Sequence, residues 1–188
     1  MMRRICYMVA AALLCVASAV LSASCSDDVQ EQYSDEYRCY FTFDTQLHPT
    51  SMLTLAVDNP GSFVMVSASL VSGRTVLDIS NWSGTAEQVP INTDKENYLI
   101  GSMGANSSII VGCSTFNGMR AYDAQCPNCL HDYSGRSFPL SWTANGQALT
   151  CAKCSRRYEL NYEGRADSGR ALLQYRVERN GVSLVVRN

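Results

Sequence analysis

The sequence is poor in charged residues and has no basic excess, which excludes one broad class of partner. Charged residues make up 17% of its 188 residues, and 15 basic residues against 17 acidic ones give a net charge of −2. The basic residues are scattered, apart from a short cluster at Lys153, Arg156 and Arg157 that we interpret as a solvated loop. The chain therefore lacks the basic surface that nucleic-acid binding requires.

Histidine is almost absent, and this argues against several kinds of catalysis. His48 and His131 are the only histidines. Nucleophilic hydrolysis needs a serine or cysteine beside such a base, whereas single histidines in loops are usually just solvated. We therefore predict no catalytic residues and lean against an enzyme.

Long helical patterns are also missing, since no segment keeps a helical hydrophobic period for three turns. Short runs rich in Val, Ile, Thr and aromatic residues recur instead, separated by turn residues. The runs that predict strands cover residues 38–45, 52–57, 62–71, 75–79 and 108–113. With 46% hydrophobic residues, the chain is long enough for one cored domain. We expect an all-β, antiparallel fold.

Three Asn-Gly dipeptides predict tight hairpins, because Asn and Gly tolerate the positive φ angles of a two-residue type I′ turn. They are Asn117-Gly118, Asn145-Gly146 and Asn180-Gly181. A two-residue turn at the first dipeptide would place Cys113 opposite Tyr122. A similar turn at the second would place Leu140 opposite Cys151.

The N-terminal residues have the layout of a secretory signal peptide. Arg3 and Arg4 precede an apolar run over residues 5–21, and small residues then lead to Cys25. Small residues ending on a cysteine resemble a bacterial lipoprotein signal, which implies a signal peptide over residues 1–24 and lipid on Cys25. Ordinary cleavage near Ala23, leaving Cys25 as a free thiol, is the alternative. The apolar run is short for a membrane span.

Residues 25–37 are acidic, polar and without periodicity, so we predict a lipidated N-terminus followed by a flexible tether. The Ser-Asp-Asp sequence after Cys25 resembles the export signal of surface lipoproteins in some Gram-negative anaerobes. That resemblance implies a position in the cell envelope, at the outer membrane or on the cell surface. The β domain then covers residues 38–188.

Two C-x-x-C pairs are the most specific chemical signal in the chain, and 21 residues separate them. Four thiolates around one ion give closed tetrahedral coordination, which is typical of structural zinc or of a rubredoxin-like iron. A closed set of ligands leaves no position for a reacting water, which argues against metal-based hydrolysis. The predicted ligands are Cys126, Cys129, Cys151 and Cys154. His131 could contact the site from outside, although a surface position is the simpler interpretation.

Disulfides are an alternative to a metal, because exported cysteines normally pair. Loss of Cys6 and Cys15 with the signal peptide and of Cys25 to lipid would leave six cysteines, an even number that permits three bridges. Cys39 and Cys113 could form one of these bridges. The interpretation we prefer for each is a small buried hydrophobic residue in a strand.

A redox-active dithiol at Cys126 and Cys129 is a further alternative. Such thiols are activated at the N-terminus of a helix. The sequence predicts no helix at this position, and we therefore rank this alternative below the metal site.

Three runs around the cysteines resemble a Rieske-type iron–sulfur domain over residues 107–186. They read IIVGCSTFNGMRAYDAQCPNC, LTCAKCSRRYEL and GRADSGRALLQYRV. The resemblance implies that Cys126 and Cys151 are its two cysteine ligands, while Cys129 and Cys154 stand in for the ligand histidines. Residues Tyr158, Gly164, Gly169 and Tyr175 match the segment that closes the fold. The family's cofactor is a [2Fe–2S] cluster, which all-cysteine ligation would hold at low potential.

The prediction that follows is a lipid-anchored envelope protein whose four cysteines hold a structural zinc ion in a binding or assembly module. An electron-transfer protein with a [2Fe–2S] cluster or a single iron is the first alternative, and a disulfide-stapled binding domain without metal is the second. The expected partners are a membrane, through the lipid on Cys25, and an unidentified protein or glycan. Trp82 and Trp142 are predicted to lie in the core, although Asn81-Trp82 could present its ring to a glycan or protein.

Overall fold

A computed structural model describes residues 33–135 and 137–188, and these residues form antiparallel β-sheets with three short helices. The predicted all-β class is confirmed. The predicted signal peptide, Cys25 and most of the predicted tether lie outside the described residues, so the structure does not test them.

Thirteen strands in the described residues make up two sheets. The strands of the larger sheet are β1 (Cys39–Asp44), β2 (Ser62–Val71), β3 (Arg74–Ser80), β4 (Ala86–Pro90), β5 (Ile100–Met103), β6 (Ser108–Ser114), β7 (Gly118–Asp123), β12 (Gln174–Asn180) and β13 (Ser183–Arg187). They pair in the order β4-β3-β2-β6-β7-β12-β13-β1-β5. The smaller sheet consists of β8 (Leu140–Trp142), β9 (Ala148–Cys151), β10 (Arg157–Glu159) and β11 (Arg165–Ala166), in the order β11-β10-β9-β8.

The run predicted as a strand over residues 52–57 is instead helix α1 (Met52–Asp58), and this prediction was wrong. A short apolar run does not distinguish strand from helix by periodicity alone. Ser51 caps the helix, and the Glu87 carboxylate accepts hydrogen bonds from the Ser51 hydroxyl at 2.6 Å and from the Met52 backbone N–H at 2.7 Å. Helical spacing then buries Leu53, Ala56 and Val57 on one face.

Two further α-helices and one turn of 3₁₀ helix complete the described secondary structure. They are α2 (Asp94–Leu99), α3 (Pro127–Tyr133) and the 3₁₀ turn Leu160–Tyr162. Thr93 caps α2, and its side chain accepts a hydrogen bond from the Glu96 backbone N–H at 3.1 Å. The Glu96 carboxylate in turn accepts from the Thr93 hydroxyl at 2.8 Å, so these two side chains stabilise the start of α2 reciprocally.

The predicted register is correct for one Asn-Gly hairpin and wrong for another. In the β8–β9 hairpin, Leu140 pairs with Cys151 as predicted. In the β6–β7 hairpin, Cys113 pairs with Met119 and not with Tyr122. A three-residue loop over residues 115–117 replaces the expected two-residue turn, because the Ser114 hydroxyl accepts from two loop backbone N–H groups.

The third Asn-Gly dipeptide also marks a hairpin, but its turn is displaced by one residue. Asn180 pairs with Ser183, so Gly181 and Val182 are the two central residues. Gly181 has a φ of 62°, whereas Val182 is not among the residues with positive φ. Positive φ at the first central residue alone is the pattern of a type II′ turn, which also suits a two-residue hairpin.

Two clusters of buried side chains lie on opposite faces of the central strands. Ile109 and Val111 of β6 belong to the larger cluster, whereas Ile110 between them belongs to the smaller one. Successive side chains of a strand point to opposite faces, so β6 contributes to both clusters. The smaller cluster includes Cys126, Cys129 and Cys151, whereas the larger one includes a single cysteine, Cys39. The smaller sheet and the two C-x-x-C pairs therefore share one core.

Candidate metal centre

The first cysteine pair lies at the start of α3, directly after β7. Cys126 is the N-cap of this helix, Pro127 is its first residue, and Cys129 lies in its first turn. Proline suits that position because its missing N–H would have no helical partner there. The sequence prediction of no helix at this pair was therefore wrong. The error arose because a seven-residue helix is too short to show a hydrophobic period.

Buried polar contacts hold the chain between β7 and α3. The Asp123 carboxylate accepts hydrogen bonds from the backbone N–H groups of Ala105 at 2.7 Å and Gln125 at 2.8 Å, and from the Tyr175 hydroxyl at 2.8 Å. Burial raises the pKa of Asp123 despite these bonds. The Cys126 backbone N–H donates to the Phe138 carbonyl at 2.9 Å. These bonds place Cys126 where β7 leaves the sheet.

The second cysteine pair lies in the tight turn that connects β9 to β10. Cys151 is the last residue of β9, and its carbonyl accepts from the Ser155 backbone N–H at 2.8 Å. The Cys151 N–H donates to the Arg156 carbonyl at 3.0 Å, so the chain reverses around Cys154. Ser155 has a φ of 59°, the left-handed conformation that this reversal requires.

The four predicted ligand cysteines come together at one point. All four Sγ atoms lie within 4.8 Å of one another. The Cys126 and Cys154 sulfurs are 3.6 Å apart, and the Cys129 and Cys151 sulfurs are 3.7 Å apart. A tetrahedral ion with bonds of about 2.3 Å to sulfur would separate its ligands by about 3.8 Å. The four cysteines are therefore close enough to hold one metal ion.

None of the six cysteines in the described residues forms a disulfide. A disulfide requires sulfurs about 2.05 Å apart, much closer than the sulfur pairs of this cluster. The three-bridge alternative is therefore not what the structure contains. Cys39 is buried in the larger core and Cys113 is half-buried in β6. Cys39 is thus the buried residue in a strand that we preferred, whereas Cys113 lies in a strand as a free thiol but is not fully buried.

A buried tyrosine contacts the cysteine cluster from the smaller sheet. The Tyr158 hydroxyl lies 3.0 Å from Cys126 Sγ, and it accepts a hydrogen bond from Asn128 Nδ2 at 2.9 Å. Because the hydroxyl oxygen accepts from Asn128, its own proton is available to the sulfur. An O–H donor favours the thiolate form of Cys126, which is the form that binds metal.

Asn128 also ties the C-terminal loop to the cysteine cluster. Its side-chain oxygen accepts from the Arg170 backbone N–H at 3.0 Å, and Nδ2 donates to the Arg170 carbonyl at 3.0 Å. Gly169 has a φ of 83°, and a Cβ there would collide with the Asn128 amide. The loop from β11 to β12 is thus fastened to α3 by one buried side chain, a role that the sequence did not predict.

Burial makes ionisation of two of the ligand thiols unfavourable without a cation. Cys126 and Cys129 are buried, and this burial raises the pKa of each thiol. The thiolate is the redox-active form of a dithiol. Because the pKa of both thiols is raised, the N-terminus of α3 does not activate this pair. A bound divalent ion would supply the positive charge that the buried sulfurs need.

Cys154 is the exception, because it is half-buried and lies beside Arg156. Burial opposes its ionisation, yet hydrogen bonds from the Arg156 backbone and side chain lower its pKa from 9.0 to about 7. Arg156 was predicted to lie in a solvated loop, but its side chain is half-buried against the cluster. The one signal for this contact in the sequence is the position of Arg156, two residues after Cys154.

The two histidines lie away from the four sulfurs. His131 is on the surface, with 66% of its side chain exposed, and its Nδ1 lies 3.1 Å from an Asp132 carboxylate oxygen. His48 is not solvated as expected, since its Nε2 is 2.8 Å from Glu96 and its ring stacks on Phe43. Both observations leave the four cysteines as the group that could hold a metal ion.

The tryptophan predictions were half correct. Trp142 is half-buried and packs against the smaller core. Trp82 was predicted in the core but is 50% exposed. It lies inside a turn in which the Asn81 side chain accepts hydrogen bonds from the Ser83 and Thr85 backbone N–H groups.

Comparisons with known proteins assign no family to this chain. No protein-family model matches it, and no curated protein matches it. Within the described residues, none of the helices has the length and apolar character needed to cross a membrane. The arguments for function therefore come from the geometry of the cysteine cluster.

Proposed function

We propose that the four cysteines bind one structural zinc ion, which holds together the smaller sheet of a lipid-anchored binding or assembly module. The observation that carries this proposal is the mutual separation of the four Sγ atoms, all within 4.8 Å. Zinc has no redox activity, and a closed set of four protein ligands is the usual arrangement of structural zinc sites. Such an ion contributes directly to the stability of the fold.

The spacing of the sulfurs supports one ion over a [2Fe–2S] cluster. In that cluster each iron takes two thiolates, and two bridging sulfides lie between the irons. Sulfurs bound to different irons are therefore farther apart than two sulfurs bound to one tetrahedral ion. The four cysteines here show no division into two distant pairs, since every Sγ is within 4.8 Å of the other three.

The position of the cluster in the fold supports a structural role. Cys126 caps α3 and Cys129 lies in its first turn, whereas Cys151 ends β9 and Cys154 lies in the turn that follows. An ion bound by all four would cross-link α3 to the smaller sheet. The same ion would fix Asn128 and, through it, the loop that closes the domain.

The test is metal analysis of the protein purified without oxygen, together with its visible spectrum and a count of free thiols. We expect one zinc per chain, no visible absorption, and four thiols that react only after a chelator is added. Iron with acid-labile sulfide would overturn the proposal in favour of a cluster. A protein without any metal would overturn both the zinc site and the cluster.

A mononuclear iron centre for electron transfer is the second candidate, because tetrahedral S₄ ligation suits iron as well as zinc. The observation that favours it is the partial exposure of Cys154, which brings one ligand sulfur near the surface. This candidate expects a coloured protein that is reduced and reoxidised reversibly. A colourless zinc protein excludes it.

We also propose that residues 107–186 are related to Rieske-type domains and that Cys25 carries the lipid anchor of an envelope protein. The first proposal is supported by the two cysteine loops, each of which follows a strand, and by Tyr158 and Gly169 in the closing segment. The second rests on the N-terminal sequence alone. Labelling of cells with radioactive palmitate tests it: label should enter the wild-type protein and be absent from Cys25→Ala.

A further inference from the structure

Trp82 is exposed in a groove on the side of the molecule where α1 meets β2. Half of its surface is accessible, which is unusual for so large an apolar side chain. Part of its ring lies against Gly146 at the tip of the β8–β9 hairpin, where a Cβ would collide with the indole. Gly146 has a φ of 67°, a conformation that favours glycine. The hairpin therefore supports the indole from one side and leaves the remaining half of its surface open.

The groove beside Trp82 is small and contains no charged side chain. Its volume is about 210 Å³, below the roughly 300–1,000 Å³ of pockets for drug-sized ligands. Apolar atoms of Leu55, Phe63 and Val64 line it together with the polar residues Asn59 and Asn81. An acidic or basic ligand would find no opposite charge in this lining, so the groove suits a neutral ligand.

The two asparagine amides offer complementary hydrogen-bonding groups at the groove. Asn59 donates from Nδ2 to the Leu55 carbonyl, which leaves its side-chain oxygen without a partner among the described residues. The Asn81 side-chain oxygen accepts hydrogen bonds from residues 83 and 85, and its Nδ2 has no hydrogen-bond partner among the described residues. A ligand hydroxyl can donate to the first group and accept from the second.

We propose that this groove, defined by Trp82, Asn59, Asn81 and Leu55, binds a sugar ring of a neutral glycan. A pyranose has an apolar face of C–H groups, which stacks on the negatively polarised face of an indole. Its hydroxyls point outward from the ring edge, where they meet the two amides. A flat apolar face with a hydroxyl-bearing edge matches the lining better than a charged or wholly apolar ligand does.

A second pair of exposed aromatic rings lies at the same end of the molecule. Phe116 and Tyr162 are 66% and 58% exposed, and their ring centroids are 5.6 Å apart. Gln147, next to Gly146, accepts a hydrogen bond from Asn161, next to Tyr162. One hydrogen bond thus links the two chain segments that lie next to these aromatic surfaces.

Affinity electrophoresis tests the proposal with defined neutral polysaccharides. The full-length protein is run through native gels that contain hydroxyethylcellulose, amylopectin or galactomannan, and through a gel with polygalacturonate as the charged comparison. We expect slower migration in at least one neutral gel. Trp82→Ala should weaken this retention at least about tenfold, because stacking on the indole is lost.

Tyr98→Ala is the matched control, since Tyr98 is 83% exposed on α2 and does not line the groove. It should migrate like the wild type in every gel. Circular dichroism and melting of Trp82→Ala establish that the variant is folded. Normal migration of the wild type in all neutral gels would overturn the proposal, as would equal retention of Trp82→Ala and wild type.

Fluorescence gives a second readout, because the chain has two tryptophans. In Trp142→Phe the emission comes from Trp82 alone, and the retaining polysaccharide should shift or quench it in a saturable way. Self-association of the wild type that is lost in Trp82→Ala, without any polysaccharide effect, would instead identify the groove as a protein interface and overturn the proposal. These outcomes do not depend on the metal analysis, so the two proposals fail separately.

Discussion

The larger and the smaller sheet bury different kinds of side chain, and the difference indicates what stabilises each. The larger core contains aromatic and aliphatic residues such as Phe41, Leu77 and Leu184, all inaccessible to solvent. The smaller core also contains large side chains such as Tyr122 and Leu149, but three buried cysteines and a tyrosine hydroxyl lie among them. Burial of hydrocarbon is favourable under any redox condition, whereas four thiolates in one cluster need a cation to balance their charge. We therefore expect the smaller core to depend on metal more than the larger one does.

The largest expected effect comes from removing one ligand. Cys129→Ser leaves three thiolates and weakens or abolishes metal binding, and we expect the free energy of unfolding to fall by on the order of 5 kcal/mol. Thermal melting and metal content measure this. Cys113→Ser is the matched control, because Cys113 is a half-buried free thiol outside the cluster, and it should change stability by less than about 1 kcal/mol. Equal melting of the two variants would show that the cluster does not hold the fold together.

Truncation in the larger core should destabilise the protein without affecting the metal. Phe41 is fully buried in β1, and Phe41→Ala should lower the free energy of unfolding by about 3–5 kcal/mol. The ratio of metal to protein should stay at the wild-type value, as measured by elemental analysis of the folded variant. Loss of metal in this variant would contradict the distinction between the two regions.

The hydrogen bond from Tyr158 should have a smaller effect, confined to the metal centre. Tyr158→Phe removes the hydroxyl beside Cys126, and we expect a loss of about 1 kcal/mol and faster release of the ion to a chelator. The control is Tyr162→Phe, which removes an exposed hydroxyl that contacts none of the ligands. Identical release rates in both variants would mean that the hydroxyl does not support the thiolate.

The smallest effect concerns a pH-dependent contact in the larger region. Burial opposes the ionisation of Glu96, but hydrogen bonds from His48 and Thr93 lower its pKa below 4.5. A lowered pKa stabilises the fold above pH 4.5, and this contribution disappears as the pH falls through the folded-state value. Glu96→Gln should therefore be less stable than wild type by a few tenths to about 1 kcal/mol at pH 7, and the difference should shrink as the pH falls below 4.5. Denaturant unfolding over a series of pH values measures this, and a difference that does not shrink in acid would contradict it.

Much of the larger sheet was predictable, because alternating apolar residues and turn residues act locally. The runs over residues 62–71, 75–79 and 108–113 correspond closely to β2, β3 and β6. The β8–β9 register was also predictable, since it places Leu140 opposite Cys151. The prediction failed at residues 52–57, where the Ser51 cap, the Glu87 carboxylate and the packing of Leu53 select a helix.

The candidate site was predictable in its ligands but not in its surroundings. Two C-x-x-C pairs at the ends of predicted strands were sufficient to expect that four cysteines would meet. The contacts from Asn128 and Tyr158 connect residues far apart in the chain. Long-range contacts of this kind leave no periodic signal in a single sequence.

The sequence by itself determined the β class, the meeting of the four cysteines and the hairpin that brings Cys151 to the cluster. These depend on residue spacing and on local backbone preferences, which any segment of chain expresses without its neighbours. Only the tertiary structure decided the helix that carries Cys126, the burial that raises the pKa of its thiol, and the exposure of Trp82. Each of these depends on which surfaces meet after folding, because burial and desolvation belong to the packed molecule.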